Sequence, residues 1–164
     1  MDASTSAPVP EPTPERSAEG LDASGVQHLM GFLLAIATVQ TRQVFQRRIG
    51  APFELRPVEF TLLVLLRDNH GAAPKQLARA LNVPAPHLTV LLDRLVARGL
   101  VERRRSSTDR RALQVLLTPA GEGLARRAHG VSLTMEDPLL RALSAGEQAM
   151  LRELLLKLAR GVAT

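Results

Sequence analysis

Cysteine is absent from this chain of 164 residues. Disulfide frameworks, thiolate metal sites, cysteine nucleophiles and peroxide-sensing thiols are therefore excluded. Tryptophan and tyrosine are also absent, and phenylalanine occurs only four times. A stacking platform for single-stranded nucleic acid is poorly supported, because that mode of binding uses repeated aromatic side chains.

Motifs for catalysis and metal binding are missing as well. The four histidines, His28, His70, His87 and His129, are dispersed, and no two of them form an H-x-x-x-H pair. The sequence also has no glycine-rich loop of the kind that cradles phosphates. Since acid-base and metal chemistry need clustered side chains, we expect no enzyme, no metal site and no cofactor.

Long hydrophobic runs are absent too. The longest mostly apolar stretch runs from Leu29 to Val39, and it is much shorter than the ~20 residues of a membrane-spanning helix. The N-terminus has no basic start before an apolar run, so it does not resemble a secretory signal. We therefore expect a soluble, cytoplasmic protein without a membrane partner.

The chain does have an ordinary apolar content and an uneven distribution of charge. Apolar residues make up 45% and charged residues 23% of the sequence, as is typical of folded globular proteins. Residues 1–25 contain five acidic residues and one arginine, a net charge of −4. Since the whole chain has a net charge of +5, the remaining residues carry +9. A basic body indicates an anionic partner, most often nucleic acid; a solvated basic surface without a partner is the alternative.

Residues 1–20 are rich in proline, serine and glutamate, which predicts a disordered acidic tail before a domain over 21–164. The first helix is predicted over roughly 22–49, where apolar residues recur at helical spacing until Gly50 and Pro52 end the run. Such a helix would be about 42 Å long, against an expected radius of gyration of ~15 Å. Part of its apolar face is therefore expected to meet a second subunit.

Three further helices are predicted in a row. Proline opens the first two at Pro57 and Pro74, where its fixed φ suits the first helical turn. The third begins near Ala85, after a turn at Asn82, and ends at Gly99. Asparagine suits such a turn because it tolerates the left-handed conformation. The residues predicted to face inward on the third helix are Leu88, Leu91, Leu92 and Leu95.

The hydrophobic pattern then changes period. Two β-like segments, VERRR and RALQVLL, flank polar residues and predict a hairpin whose apolar side chains share one side. Thr118 is a suitable N-cap for a further helix, which is expected to bend or break before Pro138. A capping box over Ser144–Glu147 opens the last helix, and Gly161 lies beyond its end.

A short helix, a tight turn, a second helix and a basic hairpin in this order form a winged helix-turn-helix. A helix fits the major groove of DNA, where its first turns can present side chains to base edges. Between Ala73 and Thr118, nine basic residues stand against three acidic ones, a net charge of +6. The excess charge is thus concentrated on the element that would contact DNA, whereas a generic solvated surface would spread it evenly.

One motif in the hairpin is specific. Asp109 and Arg111 form a D-x-R pattern that is followed by an apolar strand, by Thr118 and, three residues later, by Gly121. With the segments LRPVEFTLLVLL and PKQLARALNVPAPHLTVLLDRLVARGLVERR, this motif resembles the MarR family of bacterial transcriptional regulators. The resemblance covers roughly residues 25–160, with the elements in the right order.

The resemblance implies a mainly α fold with a small β-hairpin wing, in which residues 56–118 form the winged helix-turn-helix. Residues 21–50 and 119–164 would supply dimerisation helices. It also implies a homodimer that binds palindromic operators in double-stranded DNA, most often as a repressor. Many family members release DNA when a small phenolic or otherwise anionic ligand binds between the two regions.

The helix that begins near Ala85 would be the recognition helix. His87 and Thr89 can hydrogen-bond to bases, and Pro86 and Val90 offer apolar contacts to thymine methyl groups. An inert surface role for His87 is the alternative. Farther along the helix, Arg94 could contact a phosphate or pair with an acidic side chain.

In the wing, Arg111 matches the family arginine that is directed toward the minor groove, where the narrow walls focus negative potential. Asp109 matches the aspartate that orients basic side chains there, and a simple surface pair of the two residues is the alternative. Since side chains alternate along a strand, the arginines of VERRR cannot all face DNA. The further wing residues predicted to contact DNA are Arg103, Arg105, Ser107 and Arg110.

The sequence departs from the family pattern in two respects. Pro84 replaces the Ser or Thr that commonly caps the recognition helix, and Arg56 and Ala73 stand at the cap positions of the two preceding helices. The Trp and Tyr that often line the ligand pocket are missing. The candidate ligand-binding residues are His28, Thr38 and Arg42. A winged-helix module used only for protein–protein contact, without DNA binding, is the alternative function.

Overall fold

The computed structural model describes residues 21–105 and 113–161, and its architecture is mainly helical with one two-stranded hairpin, as predicted. The predicted tail at 1–20 lies outside these residues. None of the helices in the described part of the chain has the length and hydropathy that a membrane span requires. The helices are α1 (Met30–Phe45), α2 (Ala51–Phe53), α3 (Pro57–Asp68), α4 (Pro74–Ala80), α5 (Ala85–Ala97), α6 (Pro119–Ser132), α7 (Asp137–Leu140) and α8 (Ala145–Arg160), and the strands are β1 (Val101–Arg105) and β2 (Leu113–Leu117).

The first helical region differs from the prediction. A 3-10 turn at Ser24–Val26 precedes α1, and a π-helical segment at Gln46–Gly50 joins α1 to α2. The helical run therefore begins later than residue 22, and the prediction that Gly50 and Pro52 end it was wrong. Pro52 lies in the first turn of α2, where a missing N–H is tolerated, and the wide π turn precedes it. Glu54 ends the run in the left-handed conformation, with φ of 53°.

The chain divides into two compact units, Met1–Val39 and Gln40–Thr164. In the described part of the first unit, apolar side chains at helical spacing remain between 43% and 58% exposed. These are Leu29, Met30, Leu33, Ile36 and Val39. Among residues 21–39, nothing buries this face.

The second unit contains the hydrophobic core. Helices α3 to α6 and the hairpin each contribute to it, and the rings of Phe45 and Phe60 pack with centroids 5.8 Å apart. The buried residues are Phe45, Ile49, Leu55, Leu62, Leu63, Leu66, Leu77, Leu88, Leu91, Leu92, Leu95, Leu100, Val101, Val115, Ala125 and Ala128. The inward face predicted for the third helix of the series is therefore confirmed on α5.

Helices α3 and α4 begin without a capping side chain at the preceding residue. Instead, the side chain at the third helical position reaches back to the backbone. Glu59 Oε2 accepts a hydrogen bond from Arg56 N at 2.8 Å, and Gln76 Oε1 accepts one from Ala73 N at 2.8 Å. In both helices, the reciprocal bond of a capping box, from the N-cap backbone N–H to the N3 side chain, is present. It compensates for the unfavourable N-cap residues Arg56 and Ala73.

The last helix, α8, starts at the predicted capping box. Ser144 N and Oγ both donate to Glu147 Oε2 at 2.7 Å. These two hydrogen bonds lower the pKa of the Glu147 carboxyl, and the bond from the Ser144 side chain has the larger effect. No residue of α8 is buried. Its apolar residues remain between 39% and 57% exposed, and they are Met150, Leu151, Leu154, Leu155, Leu156 and Leu158.

The hairpin is antiparallel, with Val101 opposite Leu117 and Arg105 opposite Leu113. The predicted alternation is confirmed at its centre, where Val115 is completely buried. Val115 N also donates to Ala72 O at 2.9 Å, which attaches β2 to the residues before α4.

A compact corner joins the hairpin to α5 and α6. Thr118 Oγ1 donates to Gly99 O at 2.6 Å and accepts from Gly121 N at 3.0 Å, while Thr118 N donates to Leu100 O at 3.1 Å. A Cβ atom at Gly121 would overlap with the carbonyl oxygen of Leu100. The Thr-x-x-Gly spacing seen in the sequence therefore has a steric reason: α6 can start here only if its third residue has no side chain.

Replacing this glycine should destabilise the protein. Gly121→Ala forces a methyl group into backbone atoms, so we expect a loss of about 1–3 kcal/mol in the free energy of unfolding, measured by urea denaturation. Gly123→Ala is the matched control, because a Cβ there would meet only Arg127 Nη1 at 3.7 Å. The control should gain up to about 1 kcal/mol from helix propensity. Equal effects of the two substitutions would contradict the steric explanation.

Candidate nucleic-acid interface

A tight turn orients α5 relative to α4. Asn82 has φ of 51°, which confirms the predicted left-handed residue. Leu81 N donates to Leu77 O at 2.9 Å, and Val83 N donates to Ala78 O at 3.0 Å, so the backbone groups at the turn are paired. After the turn, one side of α5 lies against the core, and the opposite side is in solvent.

The exposed side of α5 carries the predicted base-contacting residues. Pro86, His87, Thr89 and Val90 are all exposed, and they occupy the first two turns of the helix. The hydroxyl of Thr89 donates to Ala85 O at 3.1 Å. Since that bond uses the hydroxyl proton, Thr89 is left with acceptor capacity, which suits a base amino group.

A cleft of about 360 Å³ lies beside this face. Arg56 and Arg94 are at its rim, together with His87, and neither guanidinium has a hydrogen-bond or ion-pair partner among the residues that the structure describes. An intramolecular acidic partner for Arg94 is therefore not found within the described ranges. The other lining residues are Val58, Val83, Val90 and Leu91.

Sequence reasoning missed Arg56 as a candidate DNA contact. From the sequence, Arg56 stands out only as an unfavourable N-cap residue for α3. The signal that could have identified it is its position directly before Pro57, at the start of a helix whose N-terminus faces the same cleft as α5.

The arginines of β1 have different surroundings. Arg103 Nη2 lies 2.8 Å from Asp93 Oδ1 and donates to Thr89 O at 3.2 Å, so this side chain connects the wing to the middle of α5. Arg104 Nη2 pairs with Glu102 Oε1 at 2.7 Å. Arg105 is exposed at the end of the strand. Sequence reasoning named Arg103 for DNA contact, but it missed Asp93 as its partner.

The tip of the wing lies outside the described residues. This applies to Ser107, Asp109, Arg110 and Arg111, whose roles in DNA contact stay predictions. Arg105 and Leu113, on either side of the undescribed segment, are paired across the hairpin.

The candidate ligand-binding residues lie on two different units. His28 and Thr38 belong to the first unit, where the Thr38 hydroxyl donates to Leu34 O at 2.7 Å. Arg42 belongs to the second unit, in which it lines a cleft of about 600 Å³. The other lining residues are Thr41, Phe45, Gln46, Pro57, Met135 and Glu136. Across the described ranges, no group of three or more His, Asp or Glu side chains could hold a metal ion.

Comparison with known proteins gives consistent matches. A family model described as the MarR family matches residues 53–112. The multiple antibiotic resistance protein MarR of Escherichia coli (strain K12) is 33% identical over 108 residues, which cover 65% of this chain and 75% of that protein.

Two solved structures are of the transcriptional repressor CouR. The structure of CouR bound to a 23-mer DNA duplex has a TM-score of 0.78 and 31% identity, and the match covers 85% of this chain and 98% of that chain. The structure of CouR bound to p-coumaroyl-CoA has a TM-score of 0.77 and 29% identity, and it covers 87% and 99% of the two chains.

The Asp93–Arg103 pair should contribute little to stability. Both side chains are partly exposed, at 57% and 30%, so a double-mutant cycle with Asp93→Ala and Arg103→Ala should give a coupling energy of at most about 1 kcal/mol by urea denaturation. Arg103→Lys keeps the charge and serves as the conservative variant. A coupling energy of several kcal/mol would mean that the pair holds the fold rather than the local orientation of the wing.

Proposed function

The chain belongs to the MarR family of transcriptional regulators, and from this premise we propose that it is a homodimeric repressor that binds palindromic operators and responds to a small molecule. The observation that carries the proposal is the outward face of α5, where residues able to contact bases stand exposed beside Arg56 and Arg94, which have no partner among the described residues. An α-helix of this kind fits the major groove of B-DNA.

The exposed residues divide into two chemical roles. His87 and Thr89 would hydrogen-bond to base edges, and Pro86 and Val90 would contact thymine methyl groups. Positive side chains would contact phosphates, which fix the register of the protein on the duplex but carry no sequence information. Those assigned to phosphates are Arg94 on α5, Arg56 beside it, and Arg105 and Arg110 in the wing.

The wing would reach the minor groove. In this assignment Arg111 enters the groove, Asp109 orients the basic side chains around it, and Ser107 contacts the DNA. Arg103 is assigned a mixed role, because its bonds to Asp93 and to Thr89 O leave it directed along α5. It would contact DNA only through the donors that those bonds do not use.

Homodimer formation is supported by the two exposed apolar faces. Residues of α1 in the first unit and of α8 in the second each present a row of leucine, isoleucine, valine or methionine side chains to solvent. Contiguous exposed apolar surface of this kind marks interfaces, and a symmetric pair of identical chains is the commonest solution. We assign residues 21–50 and 119–164 to dimerisation and residues 56–118 to DNA binding.

The cleft lined by Arg42 would hold the small molecule. Phe45, Pro57 and Met135 give it apolar walls, and Arg42 supplies a positive charge. This combination suits an organic anion with an apolar body. The CouR structure with p-coumaroyl-CoA supports a ligand of this chemical class.

Operator selection from random duplex DNA, combined with sedimentation of the free protein, tests the proposal. We expect recovery of an inverted repeat and a dimer at micromolar concentration. A monomer that does not shift duplex DNA even at about 50 mM salt would overturn the proposal and favour a module for protein–protein contact.

Arg111→Ala should weaken binding to operator and random duplexes alike. If Arg111 acts on the groove potential and the backbone, its removal flattens the slope of log K against log salt concentration by about 0.9. Fluorescence anisotropy over a salt series measures this slope. Arg127→Ala, which removes an exposed arginine of α6, is the charge-matched control and should leave the slope unchanged. An unchanged slope for Arg111→Ala would contradict the assignment.

His87→Ala and Thr89→Ala should instead change operator preference. Each removes a base contact worth about 1–3 kcal/mol, so binding to the selected operator falls while binding to random DNA stays nearly constant. Repeating the operator selection with each variant shows at which base pair the preference is relaxed. Equal losses on operator and random DNA would show that these residues contact only the backbone.

A further inference from the structure

Arg98 follows the recognition helix, and its side chain lies in a cleft with Arg56 and Arg94, where it contacts residues of two earlier helices. Its Nη1 donates to Glu54 O at 2.9 Å and lies 3.8 Å from Glu59 Oε2. Glu54 ends α2, and Glu59 lies in the first turn of α3. One side chain therefore joins the end of α5 to the joint between two earlier helices.

The carbonyl that Arg98 contacts belongs to a strained residue. Glu54 has φ of 53° and ψ of 42°, a conformation that is unfavourable for any residue with a Cβ atom. Among the described residues, Asn82 is the only other non-glycine with positive φ. Glu54 also ends the helical run that includes α1 and α2, where carbonyl groups lack helical partners and favour a cation. Arg98 supplies that cation.

The second contact of Arg98 is a buried carboxylate. Glu59 is 4% exposed, and it is the one charged side chain in the buried set of the described ranges. Its Oε2 accepts the Arg56 backbone N–H at 2.8 Å. Since a buried charge is costly unless it is paired, the guanidinium of Arg98, 3.8 Å away, is a favourable neighbour for the Glu59 carboxylate inside the joint.

We propose that Arg98 is a positioning residue, which sets the angle between α5 and the α2–α3 joint and does not itself contact DNA. This proposal rests on the proposed function. In a dimer, two recognition helices must enter major grooves one helical turn of DNA apart. An error in the angle of α5 therefore harms binding to an operator, which needs both helices in register, more than binding to random DNA.

The test compares Arg98→Ala with Arg94→Ala, its neighbour one turn earlier on α5. For Arg98→Ala we expect operator affinity to fall about tenfold, while affinity for random duplex stays within about twofold and the salt slope is unchanged. For Arg94→Ala we expect both affinities to fall and the slope to flatten by about 0.9. Arg98→Lys, which can still donate to Glu54 O, should recover part of the operator preference.

Arg98→Ala leaves the Glu59 charge without its partner, so it could lose operator preference merely because it folds poorly. A second test in the Glu59→Gln variant distinguishes a positioning role from this effect on folding. Glu59→Gln removes the charge and keeps an acceptor for Arg56 N–H. In this background Arg98→Ala should fold and still lose operator preference. Unchanged preference there, or a slope that flattens by about 0.9, would overturn the positioning role.

Failure of the proposed function can be told apart from failure of this inference. If the wild-type protein shows no preference for any operator, the proposed function is wrong. Amide hydrogen exchange then tests whether Arg98 still holds the joint between α2 and α3. Faster exchange at Arg56 N–H in Arg98→Ala would support the joint that Arg98 holds. Unchanged exchange would overturn it.

Discussion

The close packing of Gly121 against the Leu100 carbonyl determines how three elements meet. Thr118 donates to Gly99 O and accepts from Gly121 N, so the end of α5, the base of the hairpin and the start of α6 form one hydrogen-bonded corner. The direction of β1 relative to α5 follows from this corner. The wing can therefore lie beside α5 in this way only because residue 121 has no side chain.

The parts of this arrangement that depend on neighbouring residues in the chain could be predicted. Proline at the first helical turn, asparagine in the left-handed turn and the Ser144–Glu147 capping box are local signals, and the structure confirms each of them. The π-helical segment, in which Ile49 and Gly50 are buried, could not be predicted, because π turns are rare and the sequence carries no local signal for one. The helical run continues from this segment through Pro52, which lies in the first turn of α2.

The candidate interface was predictable in position but not in the partners of its arginines. Counting charges between Ala73 and Thr118 indicates a basic element, but it treats all arginines as equal. In the structure, Arg98 and Arg103 are bound to acidic side chains and carbonyl groups of the same chain. Arg56, which lies before that region, is instead unpaired within the described ranges. These differences arise from contacts between residues far apart in sequence, such as Arg98 and Glu54, and composition carries no information about them.

The exposed apolar faces link stability to association. The second unit has a closed core around Leu62, Leu63, Leu92 and Leu95, yet α8 contributes no buried residue to it. A helix in water gains little from propensity alone, so α8 needs a surface that covers its leucines. If a second copy supplies that surface, part of the folding free energy comes from dimerisation and depends on protein concentration. The orientation of the two recognition helices would then be set at the dimer interface as well as at the joint held by Arg98. The contact of Arg98 with its own chain would thus help to transmit the geometry of the dimer to the DNA.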